Sequence, residues 1–334
     1  MARSREADAK GKRMTTIEAT GPHAAPSERA IRGSAAGRLA ATVSVDVDPV
    51  DLHLLGYGVG DAPACALVYE RAVPRLVEAF ARAGVRATFF FVARDLPAQR
   101  AAVAAVAAAG HEVASHSVSH AMAFASLPDE ALRDELATSR ARLEDACGSE
   151  VVGFRAPNWD FDARTARELV RAGYAYDASA YPTPMLLAAR LVLLAKGQGA
   201  SAAGLRFLPF SWSRRVFDLE RGALREFPVS VTTWTRFPVY HTAAYLLGER
   251  RLVRMVEAVA RRGLALSYPL HAVDALGLAE DGVDARLARH PGMDRPLAAK
   301  VATLDAVLGA IAARFACIPF RERLGERAPV ARAS

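Results

Sequence analysis

Residues 41–48 have the sequence ATVSVDVD, a run of β-branched residues that ends in two aspartates placed two positions apart. Val and Thr favour strands, so the run predicts a buried strand with acids at its carboxyl end. Residues two apart on a strand face the same side, and the carboxylates of Asp46 and Asp48 could therefore point into one pocket. Taken alone, the pair is also compatible with a helix N-cap or a surface turn.

Strand and helix patterns alternate outward from this run through the first 180 residues. Further strands are predicted at 85–92, 112–115 and 151–154, and helices at 63–83, 98–109, 128–146 and 163–172. Alternation of this kind is typical of an α/β fold with parallel strands and right-handed crossovers. Asp46, Asp48, His116 and Arg155 all follow the end of a predicted strand. Active sites of parallel barrels and sheets form at that edge.

The remaining sequence predicts one domain, at 39–325, with a tail on each side. Residues 1–38 contain eight Lys or Arg and four Asp or Glu without apolar periodicity, which predicts a disordered basic tail. Residues 326–334 form a second tail. The alternation of strands and helices breaks at about 182–222, where we predict an insertion. It resumes with a helix near 241–262, a strand at 264–269 and a helix at 295–314.

Composition excludes several classes of protein. Hydrophobic residues make up 52% of the 334 residues, which excludes a disordered or fibrous chain. No apolar run reaches the roughly 18–20 residues of a membrane-spanning helix, and the N-terminus lacks the apolar region of a signal peptide, so we expect a cytoplasmic protein. The net charge is +7, but no Arg-aromatic repeat or zinc-finger spacing indicates a nucleic-acid partner. The three cysteines are far apart and predict free thiols.

His116 and His120 form an H-x-x-x-H pair that points to a metal site. On a helical turn, residues four apart share one face, and two imidazoles there can bind one cation at about 2.0–2.1 Å. Core packing would explain the pair equally well if it stood alone. Together with Asp48, the pair leaves coordination positions open, as catalytic sites do. These ligands suit Zn²⁺, Co²⁺, Ni²⁺ or Mn²⁺, and a neighbouring carboxylate could take a proton from activated water.

Four motifs in order resemble the polysaccharide deacetylase family, which has the NodB homology domain and is also called carbohydrate esterase family 4. They are Asp46 with Asp48, the pair His116 and His120, RAPNW at 155–159, and Leu270-His271. The resemblance covers roughly residues 40–320. It implies a distorted (β/α) barrel as a single domain and a metal-dependent N-deacetylase, a hydrolase of carbon–nitrogen bonds.

The resemblance also implies a role for each matching residue. Asp46 would be the catalytic base, Arg155 would hold its carboxylate, and His271 would protonate the leaving amine. The implied metal ligands are Asp48, His116 and His120, with zinc the most expected ion. The implied substrate-binding residues are Pro157 and Trp159, which match the groove wall, and Asp177, which lies in a stretch resembling the family's Tyr-Asp-Ser-Ser.

The sequence departs from the usual family pattern in two places. Its first motif is Asp-Val-Asp and not two adjacent aspartates, which leaves open whether Asp46 or Asp48 is the base. The usual aspartate-tryptophan motif, thought to tune the acid histidine, is not found. Asp274, three residues after His271, either replaces that aspartate or lies in a surface turn.

Three further residues have a less specific signal. His53 and Tyr57 lie just past the first acidic motif, where they either line the groove or belong to a surface loop. His290 lies in an unusual His-Pro-Gly-Met loop that could cover the site.

An apolar stretch in the predicted insertion bears on the substrate. Residues 185–195 read MLLAARLVLLA, and Phe207, Phe210, Trp212, Arg214 and Arg215 follow. The stretch is either an ordinary buried helix or a segment that contacts a membrane surface from the cytoplasmic side. It resembles the branch of the family that deacylates undecaprenyl-phosphate-linked aminosugars, such as the deformylase of formamido-arabinose lipids. A lipid-linked or nucleotide-linked N-acyl sugar is therefore the expected substrate.

Other functions fit the same motifs. One is a metal-dependent hydrolase of the same fold that opens a cyclic imide or ureide, and another is a deacetylase of polymeric polysaccharides. A non-catalytic sugar-binding module is disfavoured because the predicted base, Asp46, is present.

Overall fold

The predicted strand around residues 41–48 lies in the middle of a largely parallel sheet. In the computed structural model, which describes residues 37–94, 96–195 and 212–326, strand β1 spans Ala40–Val47. It pairs in parallel with β2, Thr88–Phe91, on one side and with β8, Leu266–His271, on the other. Every residue of 41–47 is buried, as the β-branched run predicts. Of the tails predicted at 1–38 and 326–334, residues 1–36 and 327–334 lie outside the described part.

The remaining strands complete the sheet. They are β3 (Glu112–Ser115), β4 (Gly153–Phe154), β5 (Tyr176–Asp177), β6 (Phe217–Leu219), β7 (Leu224–Glu226) and β9 (Ala316–Cys317). The strand order is β6-β7-β5-β4-β3-β2-β1-β8, with β9 beside the start of β1. The β6–β7 pair is antiparallel and the other pairs are parallel. The parallel strands place their carboxyl ends at one edge.

The segment after β7 connects the two ends of the curled sheet. The Val229 N–H donates to the Ala180 carbonyl beside β5 at 2.9 Å. The Ser230 N–H donates to the Ser267 carbonyl in β8 at 3.1 Å, and the Ser267 N–H donates to Ser230 Oγ at 2.9 Å. An irregular segment therefore takes the place of a regular strand pair, and the predicted distorted (β/α) barrel is confirmed.

Helices cover the outside of the sheet. They are α1 (Val50–Gly56), α2 (Val73–Ala83), α3 (Pro97–Ala108), α4 (Asp129–Cys147), α5 (Ala163–Arg171), α6 (Pro184–Ala195), α7 (Thr242–Leu247), α8 (Glu249–Arg261) and α9 (Leu297–Arg314). The helix predicted at 63–83 starts with a π-helical turn at Val68–Ala72. The helix predicted at 241–262 is divided at Gly248, whose φ of 87° is incompatible with a helix. Helix α1 was not predicted.

Strand β2 shows how the sequence divides the core. Phe89 and Phe91 belong to the large cluster under the helices, whereas Phe90 faces the barrel interior with Tyr176, Phe227 and Phe320. Successive strand residues face opposite sides, so one Phe-rich strand fills both layers.

From Arg38 onward the chain forms one compact unit. Within the described residues, the helices are too short or too polar to cross a bilayer. Helix α6 lies in the predicted insertion, of which residues 196–211 are outside the described part.

Candidate active site

Three predicted metal ligands meet at the carboxyl edge of the sheet. Asp48 follows β1 and His116 follows β3, and both side chains are buried together with His120. Asp48 Oδ1 is 3.5 Å from His116 Nε2 and 3.6 Å from His120 Nε2. The three ligand atoms lie within 4.8 Å of one another. They are therefore close enough for one cation to contact all three.

The prediction that His116 and His120 share a helical turn is wrong. Residues 116–120 form a tight loop, in which Ser117 and His120 have left-handed φ angles of 67° and 53°. The Glu135 carboxylate, from α4, accepts two consecutive N–H groups of this loop, at 2.7 and 3.0 Å. The curled backbone brings the imidazoles to a ring separation of 5.0 Å. Non-glycine residues adopt left-handed φ angles at a cost, and the hydrogen bonds to Glu135 offset it.

The donor set fits a divalent cation. His116 Nδ1 donates to the Arg155 carbonyl at 2.7 Å, which leaves its Nε2 lone pair facing Asp48. Burial lowers the pKa of His116, and it lowers the pKa of His120 to about 4. Neutral imidazoles are the form that binds metals. Asp48 Oδ1 is buried without a hydrogen-bond partner among the described residues, and a cation would satisfy it.

Asp46 forms a buried ion pair with Arg155. The Arg155 side chain is fully buried and donates to Asp46 Oδ1 at 2.5 Å, to Ser44 Oγ at 3.0 Å and to the Ala178 carbonyl at 3.1 Å. Burial raises the pKa of Asp46, but the charge of Arg155, the neighbouring His116 and His271, and the hydrogen bond from Arg155 together more than offset this, and the pKa is lowered overall. The geometry thus separates the two aspartates, with Asp48 beside the histidines and Asp46 beside the arginine.

His271 lies at the end of β8, directly across from Asp46. The two residues are register partners on neighbouring parallel strands. Asp274 is 2% exposed, which excludes the surface-turn interpretation. Its carboxylate accepts the backbone N–H of His271 at 2.9 Å. The ring nitrogen Nδ1 of His271 is buried and has no hydrogen-bond partner in the described structure. The carboxylate of Asp274 therefore fixes the backbone at His271, whereas the orientation of the His271 ring depends on other neighbours.

Pro157 and Trp159, which the resemblance assigns to a groove wall, lie close to Arg155 in the chain and in space. Pro157 is buried, and the Trp159 ring stacks on Tyr181 at a centroid distance of 4.8 Å and an interplanar angle of 16°. The Arg155 guanidinium lies 4.8 Å from the centre of the Trp159 ring. Asn158 and Trp159 have left-handed φ angles of 54° and 58°. This backbone turn directs the indole toward the site, where a flat aromatic face suits the apolar face of a sugar.

The predicted contact between Asp177 and substrate is not supported. Asp177 is 0% exposed, and its carboxylate accepts the hydroxyl and the N–H of Ser179 at 2.7 and 3.0 Å. Its strand partner Glu226 accepts the Ala180 N–H at 2.9 Å. Burial raises the pKa of Asp177, and burial with the charge of Asp177 raises that of Glu226 further. Asp177 positions Ser179, whose hydroxyl accepts the N–H of Ala156 beside Arg155.

Several groups that support the site had no motif in the sequence. Glu135 holds the histidine loop, Ser44 holds Arg155, Tyr181 completes the aromatic wall and Glu226 pairs with Asp177. Each acts through a contact between residues distant in sequence. Only Ser44 had a local signal, since it faces the same side of β1 as Asp46 and Asp48.

Comparisons with known proteins agree with this geometry. Residues 60–176, which include His116, His120 and Arg155, match the family model described as Polysaccharide deacetylase. A peptidoglycan deacetylase of Helicobacter pylori is 30% identical over 139 residues, which are 40% of this chain and 47% of that protein. The match thus spans about half the length of this curated relative. These findings support a polysaccharide deacetylase domain in this chain.

Solved structures show the same fold at low sequence identity. A protein from Mycobacterium smegmatis assigned as a polysaccharide deacetylase has a TM-score of 0.56 at 18% identity, over 86% of this chain and 90% of that one. The Puue allantoinase has a TM-score of 0.52 at 12% identity, over 86% of this chain and 90% of its own. The barrel of this chain is therefore of the NodB type.

Proposed function

We propose that this chain is a metal-dependent hydrolase that removes an N-acyl group, acetyl or formyl, from an aminosugar. The proposal is carried by one observation. The Asp48, His116 and His120 ligand set lies beside an arginine-held Asp46, with His271 opposite on the next strand. The match to the polysaccharide deacetylase family model supports the sugar amide as the bond that is cleaved.

The chain supplies the groups that amide hydrolysis needs. Asp48, His116 and His120 would hold a divalent cation, which would supply a Lewis acid for the attacking water and the acyl oxygen. Asp46 is kept ionised by Arg155 and takes a proton from the attacking water. His271 gives a proton to the sugar nitrogen, because an amide anion is a poor leaving group.

A lipid-linked or nucleotide-linked sugar is the substrate class that we propose, with a membrane surface as a peripheral partner. Trp234 is 92% exposed at the tip of a short hairpin, and Leu191 and Trp212 are 52% and 40% exposed. Exposed aromatic residues of this kind favour the interface of a bilayer. Residues 178–217 contain five Lys or Arg and no Asp or Glu, which suits an anionic lipid or a lipid-linked phosphate.

This exposed surface is connected to the site through Arg236. The Arg236 guanidinium donates to the carbonyl of Pro182 at 2.9 Å and to the carbonyl of Trp212, and it stacks on the Trp212 ring at 4.5 Å. Pro182 directly follows Tyr181, the residue that stacks on Trp159 in the groove wall. A sugar in the groove and a lipid at the exposed surface would thus occupy adjoining parts of the chain. We place the enzyme in the cytoplasm, at the inner face of the membrane.

Release of free acid tests the reaction. We would follow acetate and formate by NMR with N-acetylated oligosaccharides, UDP-N-acetylhexosamines, undecaprenyl-phosphate N-acyl sugars and cyclic imides. We expect acid release from the lipid-linked or nucleotide-linked class, with loss of activity in EDTA and in His116→Ala. The matched control is His111→Gln, which alters another buried histidine, located before β3.

Other outcomes would change the assignment. Acid release from oligosaccharides alone would make the chain a polymer deacetylase. Ring opening of an imide without acid release would replace the aminosugar by a non-sugar substrate, in line with the allantoinase that shares the fold. Equal activity with and without EDTA would refute the role of the metal.

Vesicle sedimentation tests the membrane contact separately. We expect binding to vesicles that contain phosphatidylglycerol, weak binding to pure phosphatidylcholine, and loss of binding in Trp234→Ser. Leu246→Ser is the matched control, because Leu246 is 54% exposed but lies on α7. Binding that is equal on both lipids, or that Leu246→Ser weakens equally, would refute the proposed surface.

A further inference from the structure

Two histidines that the proposed reaction does not use flank the ring of His271. His53 belongs to α1, and His290 follows the 3-10 helix Ala285–Arg289. The ring centroid of His53 is 5.5 Å from that of His271 and 5.2 Å from that of His290. The rings of His271 and His290 are 6.3 Å apart. Interplanar angles of 66–84° mean that each ring presents an edge to its neighbours.

One nitrogen of each ring is buried without a hydrogen-bond partner among the described residues. These atoms are His53 Nε2, His271 Nδ1 and His290 Nε2. An unsatisfied buried polar group costs about 1–3 kcal/mol, so three such nitrogens in one place indicate a functional arrangement. The rings are at edge-to-face contact distances, so a small ring rotation would bring two of these nitrogens within reach of a hydrogen bond.

The position of His290 is fixed by contacts between two loops. The Tyr57 hydroxyl is 3.1 Å from His290 Nδ1. Arg286 forms an ion pair with Asp61 at 2.7 Å, and Arg289 donates to the Tyr57 carbonyl at 3.5 Å. These contacts tie the loop after α1 to the loop that carries His290. The imidazole is therefore held beside His271 by its surroundings.

The chemistry of a leaving-group acid explains why such neighbours matter. An imidazole that donates a proton from one nitrogen is oriented by a hydrogen bond at the other nitrogen. The carboxylate of Asp274 is bonded to the backbone N–H of His271 and not to its ring. Burial lowers the pKa of His53 well below its usual value and that of His290 to about 4. Both rings therefore stay neutral, and each keeps a lone pair that can accept a hydrogen bond.

We infer that His53 and His290 are positioning residues for His271. They accept the hydrogen of its Nδ1, directly or through one water, and so hold its ring toward the substrate nitrogen. Tyr57 fixes the ring of His290. The inference rests on the proposed function, because His271 needs this orientation only as the acid for an amine leaving group.

A comparison of amide and ester hydrolysis tests the inference. An amine leaving group needs a proton from His271, whereas 4-nitrophenolate leaves without one. For His290→Phe we expect kcat on the N-acyl sugar to fall by at least about tenfold, within the 10²–10⁴-fold range of general acid catalysis. KM for the sugar and the hydrolysis of 4-nitrophenyl acetate should stay within about twofold of the wild type. His290→Gln should restore much of the amide activity, because its amide oxygen can take the place of Nε2.

His53→Phe and His53→Gln provide an independent pair, which also covers the case in which His290→Phe fails to fold. His111→Gln is the control for loss of a buried histidine, since its Nδ1 accepts the Ala87 N–H on the opposite side of β2 from the site. Amide and ester activities that fall together, or no recovery with Gln, would overturn the positioning role and leave the proposed function intact. A wild-type protein that binds metal but releases no acid from any amide would instead overturn the proposed function itself.

Discussion

Replacing Asp46 by Asn removes the carboxylate that pairs with Arg155 and hardly changes the size of the side chain. Arg155 is 0% exposed, and its other donors are already bonded to Ser44 and Ala178, so its charge cannot reach water. Removing one partner of a buried ion pair costs about 3–5 kcal/mol. We expect Asp46→Asn to lose that much unfolding free energy, a large part of the typical total of about 5–15 kcal/mol.

The double variant that combines Asp46→Asn with Arg155→Met separates the effect of charge pairing on stability from the effect on catalysis. Arg155→Met alone leaves the Asp46 carboxylate buried without its partner, whereas the double variant carries neither charge. A methionine can pack against the Phe90 ring, over which the guanidinium lies at 4.1 Å. We therefore expect the double variant to be more stable than the sum of the single effects by about 2–3 kcal/mol. It should still lack activity, because the predicted base is absent.

Urea unfolding followed by circular dichroism measures these free energies. The protein is kept in EDTA, because a cation bound only to the folded state would add its own stabilisation. Ser44→Ala is the control, as it removes one hydrogen bond from Arg155 to an uncharged partner and should cost about 1.5–3 kcal/mol. Additive single effects, or a cost of Asp46→Asn no larger than that of Ser44→Ala, would refute the buried ion pair as described.

Three further changes give distinct results. His116→Ala should abolish tight binding of one divalent cation in calorimetry, and an unchanged affinity would exclude this ligand set. Glu135→Gln should weaken cation binding about 10- to 100-fold, although the three ligands are unchanged. The reason is that the loop at 116–120 loses its hydrogen bonds to a charged carboxylate. An affinity equal to that of the wild type would show that the loop needs no such support. Glu226→Gln should raise the melting temperature relative to wild type as the pH rises from about 5 to about 9. The raised pKa values of Asp177 and Glu226 stabilise the fold fully only below the unfolded pKa of about 4, and this contribution is lost as the pH rises. A constant difference in melting temperature would contradict the raised pKa of Glu226.

Much of the barrel could be predicted because its signals are local. The β-branched run of β1, the Phe-rich β2 and the amphipathic helices bury residues at regular spacing, which the sequence displays directly. Polar residues directly after strands locate the active-site edge for the same reason. The spacing of the two histidines likewise indicated a metal site, although it suggested the wrong backbone.

The rest depends on contacts between distant residues. The loop at 116–120 takes its shape from Glu135, and no property of the loop sequence shows that partner. Asp177 resembled a substrate ligand because a motif gives the residue type but not the direction of its side chain. His53, His271 and His290 come from three separate segments, so only the folded chain shows that they meet.

The central position of β1 has a consequence for how the protein is made. Its partner β2 follows within the same part of the chain, but β8, on its other side, is synthesised only after all the strands from β2 to β7. A growing chain can thus form the cation ligands and the Asp46–Arg155 pair before residue 271 exists. Until β8 arrives, one edge of β1 has unpaired backbone groups, which is the feature that promotes aggregation of nascent chains. The proposed hydrolytic activity and the pairing of that edge of β1 both require β8, which is made late. A truncated chain that lacks β8 is therefore expected to be inactive and prone to aggregate.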